Sequence, residues 1–337
     1  MDIRRSFVPR TRKFCYFNKK TRKFINSHSK LATHISSLRI PPAYQNVIIS
    51  KNPSSKVQAI GIDTKGRKQY IYSNEHKERQ TELKFRDLIY FGRKIKAIRR
   101  DVMNTINTCT TLDKLLSKEC LIAIIIFLVD RCNFRIGNEK YKDLYNSYGA
   151  TTLSSDHIKV ENGSIKIQFT GKKGVENSSI VYNRTIVSLL KTLKSVNENR
   201  EYLFTYRIPG SNEFTRITEK HVNQFLKGYH KTISVKMFRT WCANHTLLRE
   251  LLKLSLPKDE KKAKANINLI IRNCASEMHH TSNVSKSCYM NSEIINIYLQ
   301  NPEIFYRIVS QFRKSNGKLP SIDRLLNLFL NYLRSAN

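Results

Sequence analysis

The chain has 337 residues, of which 60 are Lys or Arg and 26 are Asp or Glu, and its formal net charge is +34 at pH 7. This length suggests about two domains, and this charge indicates a polyanionic partner, most simply nucleic acid. An acidic membrane surface is the competing partner, but the sequence has no basic amphipathic helix or lipidation signal. Its longest apolar run, residues 121–129, is too short for a bilayer span and is predicted to be a buried core helix.

The cysteines and the N-terminal segment give information about the cellular compartment of the protein. The 7 cysteines are scattered singly, without a Cys-x-x-Cys pair. The sequence therefore predicts neither a zinc site nor a disulfide framework, which favours a reducing, intracellular compartment. Residues 1–37 are predicted to be a basic N-terminal arm with interleaved aromatic residues, among them Phe7, Phe14 and Phe17. Such a segment suits contact with nucleic acid, although a transit peptide would share its bias.

Residues 38–80 are predicted to form the remainder of a small β-rich, DNA-binding N-terminal domain. Residues 58–62 alternate as a strand does, residues 63–66 have the composition of a turn, and residues 69–72 restart a strand. The polar stretch 73–81 is predicted to be a linker.

Residues 81–337 are predicted to form a larger, mainly α-helical catalytic domain, because apolar residues recur at helical spacing from Leu88 to Ile98. One β element interrupts the helices: residues 158–160 and 165–169 flank an Asn-Gly turn, and residues 179–182 form a third strand. The sequence therefore predicts an α+β fold with a short three-stranded β-hairpin element. Further helices are predicted at residues 115–131, 183–196, 218–229, 239–254, 258–278, 302–313 and 321–334.

Five side chains in the last two-thirds of the chain are the candidate catalytic group: Arg135, Lys172, Arg239, His280 and Tyr289. Taken one at a time, each has an ordinary structural explanation, such as a solvated Lys in a turn. Together, two guanidiniums, an ammonium, an imidazole and a phenol are the groups needed to transfer a phosphodiester onto the protein without a metal. Their order favours an enzyme that cuts and reseals DNA.

These motifs resemble the type IB DNA topoisomerases, in the compact form of poxviruses, other large DNA viruses and some bacteria. The likeness covers about residues 38–300. It implies the catalytic fold shared by tyrosine recombinases and type IB topoisomerases. The motifs that carry it are Ile40-Pro41-Pro42-Ala43-Tyr44, residues 63–70, Lys84-Phe85, residues 135–139, Phe169-Thr170-Gly171-Lys172, residues 236–240, and His280 with Tyr289.

The resemblance also implies a role for each candidate. Tyr289 would attack the scissile phosphate, giving a 3′-phosphotyrosyl link and a free 5′-hydroxyl. Arg135, Arg239 and His280 would hold the non-bridging oxygens, and Lys172 would act as general acid to the leaving oxygen with help from Arg135. No cofactor, metal or ATP is expected, and the absence of a carboxylate cluster or phosphate loop from the sequence agrees with this.

Several basic and aromatic residues are predicted to bind DNA. Gln69 can read an adenine edge, and Arg67 or Lys65 a guanine or a phosphate, although a hairpin that contacts phosphates alone is the simpler alternative. Two positions leave alternatives open, because His279 precedes His280 and Lys173 follows Lys172. The predicted DNA-binding set is Lys65, Arg67, Lys68, Gln69, Tyr70, Tyr72, Lys140, Tyr141 and Lys236.

Two other functions compete with relaxation of supercoiled DNA. A tyrosine site-specific recombinase would use the same five groups, but recombinases usually carry His three residues before the second Arg, where this chain has Lys236. A non-catalytic basic DNA-binding protein would bind with strong salt dependence and form no covalent adduct. The favoured interpretation is a monomer that clamps duplex DNA, without a membrane or small-molecule partner. It would act inside the cell and, if viral, in the virion and at the host-cell site of viral DNA replication.

Overall fold

A computed structural model describes residues 1–208, 210–211 and 213–336. The chain divides into two compact units, Met1–Lys84 and Phe85–Asn337. The boundary falls inside one long helix, α2, which spans Asn74–Thr108. The N-terminal unit is mainly β and the C-terminal unit mainly helical, so the α+β class predicted from the sequence is confirmed.

The N-terminal unit is an antiparallel five-stranded sheet in the order β2-β1-β3-β4-β5. Its small core is formed by five buried residues: Ile3, Ile35, Val47, Ile49 and Ala59. The predicted N-terminal arm, residues 1–37, thus supplies two strands and a helix to this unit. The elements are β1 (Ile3–Val8), β2 (Lys13–Asn18), α1 (Lys30–Ser37), β3 (Gln45–Ile49), β4 (Val57–Ile62) and β5 (Lys68–Tyr72).

The predicted linker at residues 73–81 is wrong, because α2 begins at Asn74. The Ser73 hydroxyl accepts a hydrogen bond from the His76 N–H at 3.2 Å, which satisfies one of the free donors at the helix start. The stretch is rich in Glu, Lys, Arg and Gln, which are good helix formers even where no apolar stripe is present. Its polar composition was therefore a poor guide to its conformation.

The C-terminal unit contains helices α3 to α13 and two further small sheets. The first sheet has the order β6-β7-β8 and includes the hairpin predicted from its Asn-Gly turn, in which Glu161 pairs with Ser164 and Gly163 has φ +72°. The second, β9 with β10, was not predicted. The strands are β6 (Ile158–Glu161), β7 (Ser164–Thr170), β8 (Glu176–Val181), β9 (Thr205–Arg207) and β10 (Phe214–Arg216).

The helices of this unit surround one large core. Helix α4 carries the apolar run predicted to be a buried core helix, and Leu121, Ile124 and Leu128 are each 0% exposed. No helix within the described residues is long and apolar enough to cross a membrane. The helices are α3 (Leu112–Leu115), α4 (Lys118–Cys132), α5 (Glu139–Tyr145), α6 (Arg184–Val196), α7 (Glu219–Lys227), α8 (Lys236–Leu251), α9 (Glu260–Glu277), α10 (Ser282–Val284), α11 (Ser292–Gln300), α12 (Pro302–Gln311) and α13 (Ile322–Ala336).

A polar network joins α13 to α8 inside this core. The Trp241 indole N–H donates to Asp323 Oδ1 at 2.7 Å, and Arg99 Nη1 donates to Asp323 Oδ2 at 2.8 Å. Arg99 also pairs with Asp130 on α4, at 2.8 Å from Nε to Oδ2. Because Trp241 lies two residues after Arg239, the network fixes the part of α8 that carries this candidate catalytic residue.

One cysteine pair contradicts the sequence prediction. Cys109 and Cys120 form a disulfide across the turn that joins α2 to α4. Both residues are buried, Cys109 at 6% and Cys120 at 1% exposed. The expectation of no disulfide is therefore wrong for this pair, because chain reversal through α3 brings together two cysteines that are eleven residues apart.

Candidate active site

Arg135 lies in the extended segment between α4 and α5, and two backbone contacts fix this segment. The Arg135 carbonyl accepts from the Ala150 N–H at 2.8 Å, and the Ile136 carbonyl accepts from the Thr151 N–H at 2.7 Å. Gly149 permits this approach, because a Cβ there would lie 2.6 Å from the Arg135 carbonyl oxygen. The backbone that carries the guanidinium is thus held against a second loop.

Arg239 lies in the first turn of α8 and is only 4% exposed. Its guanidinium donates to the carbonyl oxygens of Asn133 and Met278, the latter at 2.8 Å, and its Nε lies 3.4 Å from the Tyr289 hydroxyl oxygen. Since the two carbonyls terminate α4 and α9, Arg239 ties both helix ends to α8. The same contacts orient its remaining nitrogen toward the phenol.

Tyr289 ends a five-residue π-helical segment, Ser285–Tyr289, and its ring is partly buried. Its hydroxyl interacts with Arg135 as well as with Arg239. Asn244 on α8 fixes the backbone: its Nδ2 donates to the Tyr289 carbonyl at 2.9 Å, and its Oδ1 accepts from the Asn291 N–H at 2.7 Å. Asn244 is 0% exposed and was missed in the sequence, where the only signal was a polar residue on an otherwise apolar helix face.

His280 follows the end of α9, and a left-handed residue directs the chain there. His279 has φ +51°, and the His280 N–H then donates to the Ala275 carbonyl at 3.1 Å, which is a common way to close a helix. The His280 ring lies parallel to the Tyr289 ring, with 5.1 Å between centroids and 4° between planes. The structure thus places His280, not His279, against the phenol.

Burial and neighbouring charge determine the protonation of the site. Burial, with a smaller contribution from the positive charges of Arg239 and Arg135, lowers the pKa of His280 to about 4. Burial and the charge of Arg239 also lower the pKa of Arg135, which remains a cation at neutral pH. In the free protein His280 is therefore neutral, and its Nδ1 lies 3.2 Å from the Thr281 carbonyl oxygen. That contact assigns the proton to Nδ1.

Two nitrogens of the site are buried without a protein partner. Within the described residues, neither Arg135 Nη1 nor His280 Nε2 forms a hydrogen bond. An unsatisfied buried polar group typically costs about 1–3 kcal/mol, and a catalytic or ligand-binding role is one explanation for such a group in a native protein. Both atoms belong to side chains that contact the same phenol. A phosphate oxygen would satisfy Arg135 Nη1 directly, and His280 Nε2 once that nitrogen carries a proton.

Lys172 is not brought into this group. It lies at the tip of the β7–β8 hairpin, in a short turn closed by hydrogen bonds from Gly171 N–H to the Val175 carbonyl and from Gly174 N–H to the Gly171 carbonyl. Its side chain is exposed, and within the described part of the chain no hydrogen bond or ion pair engages it. Lys173 beside it has φ +67° and is also exposed.

The predicted DNA-binding residues lie at separate places. At the β4–β5 turn, Asp63 accepts from Arg67 Nε at 2.8 Å and from Gln69 Nε2 at 2.9 Å, and these contacts, Arg67 first, hold the pKa of Asp63 well below its ordinary value. Tyr70 and Tyr72 stack on one face of β5, with 6.3 Å between centroids. The others are exposed: Lys65 and Lys68 at the same hairpin, Lys140 and Tyr141 on α5, and Lys236 at the start of α8.

A phenol flanked by two guanidiniums and an imidazole, on a mainly helical unit, is the arrangement expected of an enzyme that transfers a DNA strand to a tyrosine. Residues 73–308 match the eukaryotic DNA topoisomerase I catalytic core, and residues 13–63 match the bacterial DNA topoisomerase IB N-terminal domain. The chain therefore belongs to the type IB DNA topoisomerase family, which confirms the resemblance found in the sequence. Its substrate class is duplex DNA.

Two viral relatives agree with this assignment. The chain is 31% identical to DNA topoisomerase 1B of Acanthamoeba polyphaga mimivirus, over 80% of this chain and 81% of that protein. It is 24% identical to DNA topoisomerase 1B of Vaccinia virus (strain Copenhagen), over 92% of this chain and 89% of that protein. Among solved structures, XerH site-specific recombinase bound to its palindromic difH substrate matches with a TM-score of 0.35 and 16% identity, over 59% of this chain and 51% of that one.

Proposed function

We propose that this enzyme relaxes supercoiled duplex DNA by moving one strand onto Tyr289 and back. The observation that carries the proposal is the convergence on one hydroxyl: Arg239 Nε lies 3.4 Å from it, Arg135 contacts it, and the His280 ring stacks on its ring. The two buried nitrogens without partners, Arg135 Nη1 and His280 Nε2, support a phosphate at this position.

The proposed reaction keeps the number of phosphoester bonds constant. The Tyr289 oxygen forms a bond to phosphorus as the bond to the 5′ oxygen breaks, and the phenolic proton leaves as the 5′-hydroxyl gains one. Arg135, Arg239 and His280 then stabilise the charge on the two non-bridging oxygens, which is greatest in the transition state. Religation is the reverse attack, so the strand is resealed without ATP.

His280 has a further requirement under this proposal. Its Nδ1 proton is committed to the Thr281 carbonyl, so its Nε2 can donate to a phosphate oxygen only if the ring is protonated. An anionic phosphate beside Nε2 would raise the pKa of His280 from its value of about 4 in the free protein. DNA binding would thus recruit a proton to this ring.

Lys172 is proposed as the general acid for the 5′ oxygen. Its exposed position at a hairpin tip supports contact with a bound strand outside the buried group. Cleavage by Lys172→Ala should slow strongly on ordinary DNA and recover on a 5′-bridging phosphorothiolate, because sulfur leaves without a proton. Equal slowing on both substrates would assign the acid role to another residue, and Lys173→Ala serves as the matched control.

DNA recognition is proposed for the β4–β5 hairpin, α5 and the start of α8. Gln69 donates to Asp63 through Nε2, so its Oε1 stays available to accept from an adenine amino group. Lys236 is proposed to bind a phosphate near the scissile bond, and Lys140 with Tyr141 to contact the duplex nearby.

We further propose that the enzyme acts as a monomer around the duplex, inside the cell and, if viral, where viral DNA replicates.

The test is relaxation of a supercoiled plasmid in EDTA without ATP. Wild-type enzyme should relax both positive and negative supercoils. Tyr289→Phe should relax neither, because the one group it lacks is the hydroxyl that attacks phosphorus. Digestion of a denatured reaction should give one peptide, containing Tyr289, with a nucleotide attached. Relaxation that survives Tyr289→Phe, or that requires Mg²⁺ or ATP, would reject the proposal.

A further inference from the structure

The N-terminal unit has an unusually uncompensated positive charge. Between Asp2 and Asp63 the sequence contains no Asp or Glu. Within the described chain no salt bridge is formed by residues 3–62, since Asp63, the first acidic residue after them, pairs with Arg67. Arg5 is the one guanidinium here that is turned inward, donating to the carbonyls of Pro41 at 3.0 Å and Pro42 at 3.3 Å. The remaining cations are therefore free to meet an external polyanion.

Four of these cations lie on one ordered loop after β2. The Asn18 side chain accepts from the Lys20 and Thr21 N–H groups at 2.8 and 3.1 Å, and its backbone N–H donates to the Lys23 carbonyl at 2.9 Å. Arg22 completes the turn in a left-handed conformation with φ +56°. A loop with this many backbone hydrogen bonds presents its side chains from a defined frame. The cations that it carries are Lys19, Lys20, Arg22 and Lys23.

Two aromatic rings adjoin this loop, and one of them is exposed. Phe24 is 72% exposed, and its ring lies edge-on to that of Phe17 at 6.3 Å between centroids. The backbones of the two residues form an antiparallel bridge, which fixes their spacing. A ring as exposed as that of Phe24 contributes little to the stability of the fold. A ligand that stacks on it would remove its apolar surface from water, which is favourable. We call Phe17, Lys19, Lys20, Arg22, Lys23 and Phe24 the β2-edge surface.

The β2-edge surface lies far from the proposed duplex-reading hairpin. In the strand order β2-β1-β3-β4-β5, β2 and β5 are the two outer strands. Four strand spacings separate them, about 19 Å at 4.8 Å each. The cations and rings at β2 are thus not an extension of the Gln69 and Tyr70 face of β5, and they need a ligand of their own.

We propose that the β2-edge surface binds an unpaired DNA strand as a second site. Cations that follow a backbone, combined with rings open to stacking, are typical of proteins that hold single strands. A duplex would neutralise the cations but could not use Phe24, because its bases are already stacked. The site goes beyond strand transfer at Tyr289, and suits unpaired segments such as those that negative supercoiling exposes.

The test measures binding of fluorescent dT20 to the full chain, by anisotropy. Phe24→Ala should weaken dT20 binding by about tenfold, within the range for loss of one stacked base, and leave an abasic 20-mer unaffected. Replacing all four cations (Lys19→Gln, Lys20→Gln, Arg22→Asn, Lys23→Gln) should reduce the slope of log K against log salt by up to about 3. Enzyme saturated with unlabelled duplex should still bind dT20.

Matched controls separate this site from general effects. Phe7→Ala removes another exposed ring, 52% exposed, from the opposite face of the β1–β2 hairpin, and should leave dT20 binding unchanged. Displacement of dT20 by duplex, or equal losses on dT20 and the abasic strand in Phe24→Ala, would overturn the proposal. Plasmid relaxation is a separate readout, so failure at either site is seen independently.

Discussion

The contact of Asn244 with the backbone of Tyr289 predicts that this amide positions the nucleophile. Asn244→Ala would leave the Tyr289 carbonyl and the Asn291 N–H without partners, and Asn291 is only 3% exposed. At about 1–3 kcal/mol for each unsatisfied group, the free energy of unfolding should fall by about 2–6 kcal/mol. Loss of both anchors should also shift the phenol, and a displacement of about 1 Å can slow chemistry on the order of 100-fold.

The assay is single-turnover cleavage of a suicide duplex that releases its 5′ strand, measured with urea denaturation of the same variants. Asn266→Ala is the matched control, since Asn266 is a buried amide on α9 that donates to the Tyr298 hydroxyl at 2.9 Å, away from the phenol. It should lower stability without changing the cleavage rate. Both variants are compared at a temperature where each remains folded.

Two results would refute this reasoning. If Asn244→Ala cleaves within threefold of the wild-type rate while its stability falls as expected, the short helix positions Tyr289 without the amide. If Asn266→Ala slows cleavage as much as Asn244→Ala does, the slowing reflects loosening of the whole unit. Asn244→Asp adds a finer comparison, because it keeps the acceptor for Asn291 and loses the donor to the Tyr289 and Thr240 carbonyls.

Three further outcomes are expected. His279→Gly should raise the free energy of unfolding in urea by about 0.5–1 kcal/mol with cleavage retained, because glycine relieves the φ of +51°; no gain would contradict this. Folding lowers the pKa of His280 from 6.5 to about 4, so as the pH falls the unfolded chain binds this proton before the folded protein does. The melting temperature should therefore decrease as the pH is lowered from 6.5 to 4, and it should decrease less steeply in His280→Asn. Gly149→Ala should slow cleavage at least tenfold, since its Cβ would lie 2.5 Å from the Gly137 nitrogen; an unchanged rate would show that the Arg135 loop is not held there.

Local patterns in the sequence predicted much of the fold, because they depend on local physics. The Asn-Gly turn at residues 162–163 predicted the β6–β7 hairpin, since glycine accepts the positive φ that the turn requires. The apolar run of α4 predicted a buried helix, because a helix that is apolar all round is stable only inside a core. Residues 73–81 were misjudged because a solvated helix start carries no apolar stripe, so composition alone resembles a linker.

Long-range contacts could not be predicted from the sequence, for a different reason. The pairing of Cys109 with Cys120 depends on how α2 and α4 meet, and spacing does not encode that geometry. The same holds for Asp323, which lies 82 residues after Trp241 in the chain and accepts a hydrogen bond from its indole N–H. Such contacts become visible only once the helices are placed.

The site shows how far motif order can lead. Arg135, Arg239, His280 and Tyr289 converge because helix ends meet there: Arg239 binds the carbonyls that terminate α4 and α9, and those ends carry Arg135 and His280. The same guanidinium thus serves the fold and faces the phenol. In the sequence Asn244 differs from a surface amide only by its place on a mainly apolar helix face, because its importance lies in two backbone groups 45 and 47 residues away. Chemistry-bearing side chains can be predicted by type and order, whereas the residue that holds them in place is identified by its partners.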